Sequence, residues 1–102
     1  MELVEEGIFI IKNKLGLHAR AANMVVQVAS SFVSTITIDK DGIEANAKSI
    51  MGILLLAAGQ GSKVVIRAQG KDAKEAIAEI GKLIEDKFGE KEDTIQQRRE
   101  GT

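Results

Sequence analysis

The sequence predicts an α+β domain with one sheet, helices on one of its faces, and the element order β-α-β-β-α-β-α. Three observations point there. Short β-branched runs alternate along the chain with stretches whose apolar residues recur at helical spacing. The pair Asp41-Gly42 stands between two strand-like runs, a strong hairpin signal. The 102 residues can bury one modest core and are too few for two.

Val4–Ile11 mixes β-branched and aromatic residues and reads as a strand, followed by a polar, flexible loop over Lys12–Gly16. Ala19–Ser30 is rich in alanine, with Ala22, Val25, Val26 and Ala29 at helical spacing and Phe32 just beyond. Phe32–Ile38 alternates, with Phe32, Ile36 and Ile38 opposed to Val33, Thr35 and Thr37, as a half-buried strand does. Ile43–Ala47 is the returning strand of the hairpin. Ser49 opens a short apolar helix reaching Leu56, because a serine hydroxyl can accept from a free N–H of the first turn. Gly59–Ser62 is a turn and Lys63–Gln69 a strand. Asp72 is expected to cap a long helix, with Glu75 at the capping-box position and a stripe of Ala73, Ala76, Ile77, Ile80, Ile84 and Phe88 ending at Gly89. Residues 1–89 therefore make the domain. Residues 90–102, mostly polar with Ile95 the only sizeable apolar side chain, read as a mobile tail or a frayed extension of the last helix.

Composition excludes several classes of function. An apolar share of 44% beside 28% charged residues is that of a globular domain rather than a disordered chain. A net charge of −1 offers no strong field to nucleic acid or to an anionic membrane. Without Trp or Tyr there is little surface on which bases could stack. Without Cys and with a single His, neither thiol chemistry nor a transition-metal site is expected. The acidic start MELVEEG is not a secretory signal, and the apolar stretch Ile53–Ala58 is far short of a membrane span, so a reducing cytoplasm is the default compartment.

Two motifs fall short. Gly59-Gln60-Gly61-Ser62-Lys63 has Ser and Lys in the wrong order for a phosphate-binding P-loop and leads into a strand, not a helix. Asp39-Lys40-Asp41-Gly42 lacks the third acidic position of a calcium loop, and Lys48 stands where its bidentate glutamate would be. Plain turns account for both.

His18, the single histidine, is different. It stands where a helix is about to begin, two places after Gly16 and two before Arg20. Free N–H groups at a helix start act together like about half a positive charge. Arg20 adds a full charge on a planar head suited to phosphate oxygens. Gly16 allows a sharp turn and leaves the approach to the imidazole uncluttered. These positive surroundings disfavour an imidazolium, keep a neutral nucleophilic nitrogen, and would stabilise a phosphoryl group once it arrived. No nucleotide loop, metal cluster or second catalytic group accompanies the histidine, so the site suits a carrier whose partners do the catalysis.

At these residues the chain resembles a known family. Gly16-Leu17-His18-Ala19-Arg20 resembles the active-site signature of HPr, the histidine phosphocarrier family of the phosphoenolpyruvate-dependent phosphotransferase system. Lys48-Ser49-Ile50-Met51-Gly52-Ile53-Leu54 resembles the second signature of that family, around its regulatory serine, and the likeness extends over about residues 4–89. The resemblance implies an open-faced β-sandwich, a four-stranded antiparallel sheet covered on one face by three helices. It implies a monomeric carrier, not an enzyme, that needs no cofactor. His18 would take a phosphoryl group on Nδ1 from phosphorylated enzyme I and pass it to IIA-type acceptor domains. Arg20 would neutralise charge, and the backbone of Ala19 and Arg20 would cradle the phosphate. Ser49 would be the target of HPr kinase/phosphorylase in organisms that have that enzyme, and Ile50 and Met51 would lie in the partner-docking face. Most sugar-type members carry proline where Ala21 stands, and alanine there resembles the nitrogen-type and related branches. A regulatory binding module acting through the Ser49 face is the competing expectation. Relatives of that kind replace the histidine, so His18 argues against it.

Overall fold

A computed structural model describes residues 3–90. Where the sequence alternates, strands form, and where it is helix-periodic, helices form. The order is β1 (Val4–Ile10), α1 (Ala19–Ser30), β2 (Thr35–Lys40), β3 (Ile43–Asn46), α2 (Ile50–Leu55), β4 (Lys63–Gln69), α3 (Ala73–Glu85) and a short 3₁₀ turn, Lys87–Gly89. The four strands pair antiparallel in the order β1-β4-β2-β3. The architecture is the open-faced sandwich of the resemblance.

One face of the sheet and one face of each helix close the core. Ile36 and Ile38 of β2 and Val64 and Ile66 of β4 meet Ala22, Val25, Ile53, Ile80 and Ile84, all buried. At the β1 edge the Phe9 ring lies against the backbones of two elements. A Cβ on Gly7 or Gly81 would come within 2.8 or 2.6 Å of that ring, so glycine is what lets α3 settle onto β1. On the opposite, open face Arg67 bonds Glu6 at 2.6 Å and lies 3.4 Å from Glu44 and 3.9 Å from Asp39. The hydrogen bond to Glu6, followed by the charges of all three acids, raises the Arg67 pKa further above its usual value.

The hairpin closes as the Asp-Gly pair predicts. Asp41 and Gly42 both take positive φ, 54° and 85°, as a two-residue turn matched to strand twist requires. Two expectations need correction. The second strand begins at Thr35, not Phe32, and Asp72 makes no side-chain bond to its own helix. The two corrections have one cause. The Asp72 carboxylate accepts from the Val33 N–H at 2.9 Å, from the Ser34 N–H at 3.0 Å and from the Ser34 hydroxyl. It is fully engaged in holding the entry to β2 as a loop.

Helix α3 also ends earlier than its apolar stripe suggests. It stops at Glu85, and Lys87, Phe88 and Gly89 then take φ of 57°, 54° and 73°. Left-handed backbone at a lysine and a phenylalanine costs about 1–2 kcal/mol each, offset here by burial of the Phe88 ring. This turn swings the chain back across the end of the fold. Glu90, expected as the first residue of a tail, is tied into the domain by its side chain, while residues 91–102 lie outside the described part.

Candidate functional site

The loop before α1 is held from three sides. The Ile11 N–H donates to Ser62 at 2.9 Å and the Gly61 N–H to Ile11 at 2.8 Å, while Lys12 forms an ion pair with Glu85 of α3. The Leu17 N–H donates to the Ala58 carbonyl at 2.9 Å. Gly16, at φ 67°, makes that approach possible: a Cβ there would lie 2.5 Å from the same carbonyl oxygen. Its lack of a side chain thus clears room against the segment that follows α2.

His18 is the N-cap of α1, with extended backbone at φ −77° and ψ −179°. Its carbonyl accepts from the Ala22 N–H at 2.8 Å, the first bond of the helix. Its Nδ1 accepts from the Arg20 N–H at 3.3 Å. That bond needs a lone pair on Nδ1, so in the neutral ring the proton sits on Nε2. The side chain is 29% exposed, open enough to be approached and confined enough to hold one orientation. Ala19 and Arg20 are exposed in the first turn, where N–H groups lack helical partners, and the Arg20 guanidinium forms no ion pair among the described residues.

Sequence reasoning missed a carboxylate at this site. The Glu90 side chain, 10% exposed, places Oε2 3.8 Å from His18 Nε2. Its Oε2 accepts from Asn13 Nδ2 at 3.1 Å and its Oε1 from the Leu15 N–H at 3.3 Å. The surroundings of the imidazole are therefore positive on the Nδ1 side and negative on the Nε2 side, not positive throughout. The one available signal was the order Phe88-Gly89-Glu90. A phenylalanine just past a helix end is an anchor that can fold the chain back, and the acid follows it.

Ser49 is the N-cap of α2, as its sequence position predicts, and its hydroxyl accepts from the Gly52 N–H at 3.1 Å. Ile50 and Met51 are exposed on α2, at 40% and 67%. Leu55 on the same helix and Leu15 in the loop, at 75% and 64%, add apolar surface that the sequence reading did not single out. Helix α2 packs on α1, and the Leu17 N–H bond to Ala58 ties the residue before His18 to the segment that follows α2. Among the described residues no group of acids and histidines could hold a metal, and no helix is long and apolar enough to cross a membrane.

The chain compares closely with known proteins. A family profile described as "PTS HPr component phosphorylation site" matches residues 6–86. A phosphocarrier protein HPr of Xylella fastidiosa is 48% identical over 81 residues, covering 79% of this chain and 91% of that protein. An HPr-like protein Crh of Halalkalibacterium halodurans is 47% identical over 75 residues, covering 74% of this chain and 89% of that protein. The crystal structure of HPr-C-His from Thermoanaerobacter tengcongensis superposes with a TM-score of 0.82 at 52% identity, covering 85% of this chain and 98% of that one. A site histidine capping a helix, an open-faced sandwich around it and this agreement over most of the chain lead to one conclusion: the chain belongs to the HPr family of phosphocarrier proteins of the phosphotransferase system.

Proposed function

We propose that this chain accepts a phosphoryl group on His18 Nδ1 from phosphorylated enzyme I and delivers it to a IIA-type acceptor. The observation that carries this reading is the direction of Nδ1, which faces the first-turn N–H of Arg20 at the start of α1. As Nδ1 attacks phosphorus, the donor's P–N bond breaks and the donor nitrogen keeps the electron pair. The Nδ1 lone pair is then used, and the Arg20 N–H turns from nitrogen to a phosphate oxygen. A neutral bond of roughly 1 kcal/mol is exchanged for a charge-assisted one of about 1.5–3 kcal/mol. The neighbouring N–H of Ala19 joins this cradle, and the Arg20 guanidinium offsets the new charge. The gain is modest, which suits a carrier that must also release its cargo.

Ser49 is the regulatory position of this reading. A phosphate there would sit beside Ile50 and Met51, and a dianion pressed into an apolar interface is costly. HPr kinase/phosphorylase is the modifying enzyme where the organism has it. We take the carrier to act as a cytoplasmic monomer, with Ile50 and Met51 in its docking face.

The test is phosphoryl transfer from phosphoenolpyruvate through purified enzyme I. An acid-labile, base-stable label lost in His18→Ala is the expected result. Undiminished labelling of that variant would overturn the reading, and an acid-stable label alone would favour the regulatory module acting through Ser49.

A further inference from the structure

We propose that Glu90, held in place by Asn13, is a positioning residue for His18. Together with the Arg20 N–H it holds the ring with the proton on Nε2 and the lone pair on Nδ1. The role in transfer rests on the phosphocarrier reading; the effect on the ring does not.

The contacts define the role. One carboxylate oxygen faces Nε2 at 3.8 Å, longer than a hydrogen bond but near enough for its charge to favour an N–H on that edge, while Nδ1 on the opposite edge accepts from Arg20. An acceptor on one side and a donor on the other allow one neutral tautomer and disfavour the other, and they also oppose a ring flip. The carboxylate is itself fixed by Asn13 Nδ2 and the Leu15 N–H.

Asn13 is a costly way to do this for stability alone. It is fully buried, its Nδ2 also donates to the Gly16 carbonyl at 2.8 Å, and its buried Oδ1 has no partner among the described residues. Turning the amide over would set its oxygen against two acceptors, so the orientation is determined. A buried amide with an orphaned oxygen calls for an explanation beyond packing. The left-handed backbone at Lys87 and Phe88 is a second strained feature leading to the same carboxylate.

The transfer step balances with this tautomer. Nδ1 forms its bond to phosphorus as the donor's P–N bond breaks. The ring becomes a phosphorylated imidazolium and keeps its Nε2 proton. On delivery the P–N bond breaks and the neutral ring returns with that proton still in place, so none need be gained or lost. Glu90 attracts the imidazolium at close range and repels the dianion further off, two effects of opposite sign. It therefore speeds transfer in both directions without greatly moving the equilibrium.

The experiment uses the full chain, with Glu90→Ala, Glu90→Gln and Asn13→Ala variants. Imidazole ¹⁵N shifts of the unphosphorylated protein read the tautomer, which a merely structural role would not move. In wild type Nδ1 and Nε2 should differ as lone-pair and N–H nitrogens do. In Glu90→Ala and Asn13→Ala, where the Arg20 N–H alone still favours the lone pair on Nδ1, they should draw measurably closer, with transfer from enzyme I and to an acceptor slowed about tenfold each way. Glu90→Gln, which retains an acceptor without the charge, should fall between. Unchanged ¹⁵N shifts in Glu90→Ala, or transfer within twofold of wild type, would overturn the proposal. Should Asn13→Ala fail to fold, the two Glu90 variants decide. Labelling of His18→Ala would overturn the carrier reading and leave the tautomer result standing.

Discussion

The N-terminus of α1 and the N-terminus of α3 each carry a titratable side chain at the cap, His18 and Asp72. At α3 the carboxylate turns away from its helix and bonds three groups at the entry to β2. At α1 the imidazole turns toward its helix and takes a single N–H at 3.3 Å. The first arrangement joins residues 38 and 39 positions apart and resists change. The second is local, long and easily exchanged for another partner. A helix start can thus be a tie or a site, and what distinguishes them is how completely the capping group is satisfied from elsewhere.

The largest effect expected is a crossed pair. His18→Ala should abolish phosphoryl acceptance and cost stability only the loss of a cap, about 0.5–1 kcal/mol. Asp72→Ala should leave acceptance intact and lower the unfolding midpoint clearly. Thermal unfolding of both variants beside transfer assays checks the crossing, and a loss of acceptance in a folded Asp72→Ala protein would dissolve the contrast.

Arg20→Ala sharpens the α1 side. Loss of one charge-assisted contact to phosphate should slow transfer about 10- to 150-fold while the fold is retained. Rates within twofold of wild type would remove the guanidinium from the site.

On the α3 side, hydrogen bonding from the Ser34 hydroxyl, joined by the Val33 and Ser34 N–H groups, lowers the Asp72 pKa against the opposing effect of burial. The folded value lies below the unfolded one. Its stabilisation is therefore complete above the ordinary carboxyl range near 3.8 and is lost as pH falls through the lower folded value. Unfolding midpoints measured from neutral pH down to about pH 2 should show a fall that is smaller in Asp72→Asn. Parallel curves for the two proteins would show that Asp72 is not the tie.

The smallest effect concerns Ala57, left-handed at φ 50° just beyond α2. Ala57→Gly should relieve strain and raise stability by a few tenths to about 1 kcal/mol, read by chemical denaturation, with transfer unaltered.

Most of the fold was legible in the sequence because its signals are local. The stripe in Ala19–Ser30, the alternation through Ile36 and Ile38 and the turn at Asp41-Gly42 each lie within one element. The cap positions of His18 and Ser49 were legible for the same reason. Asp72 was misread because its partners, Val33 and Ser34, lie 39 and 38 positions earlier in the loop entering β2 and come near only in the folded chain. Glu90 was missed because Asn13, which holds it, lies 77 positions earlier. No periodicity marks such a pair, and only the Phe88 anchor gives a local clue. Leu15 and Leu55 were passed over since exposure is a property of the assembled surface.

The Leu17 N–H bond to the Ala58 carbonyl, for which Gly16 makes room, has a consequence in measurement and tolerance. It fastens the histidine loop to the segment that follows α2, so His18 and the exposed apolar helix share one frame. On the phosphocarrier reading a donor and an acceptor dock in turn on that helix, and each must find the imidazole at the same offset. The chain then behaves as a gauge block, with one dimension set by a single carbonyl, and unrelated partner surfaces must conform to it.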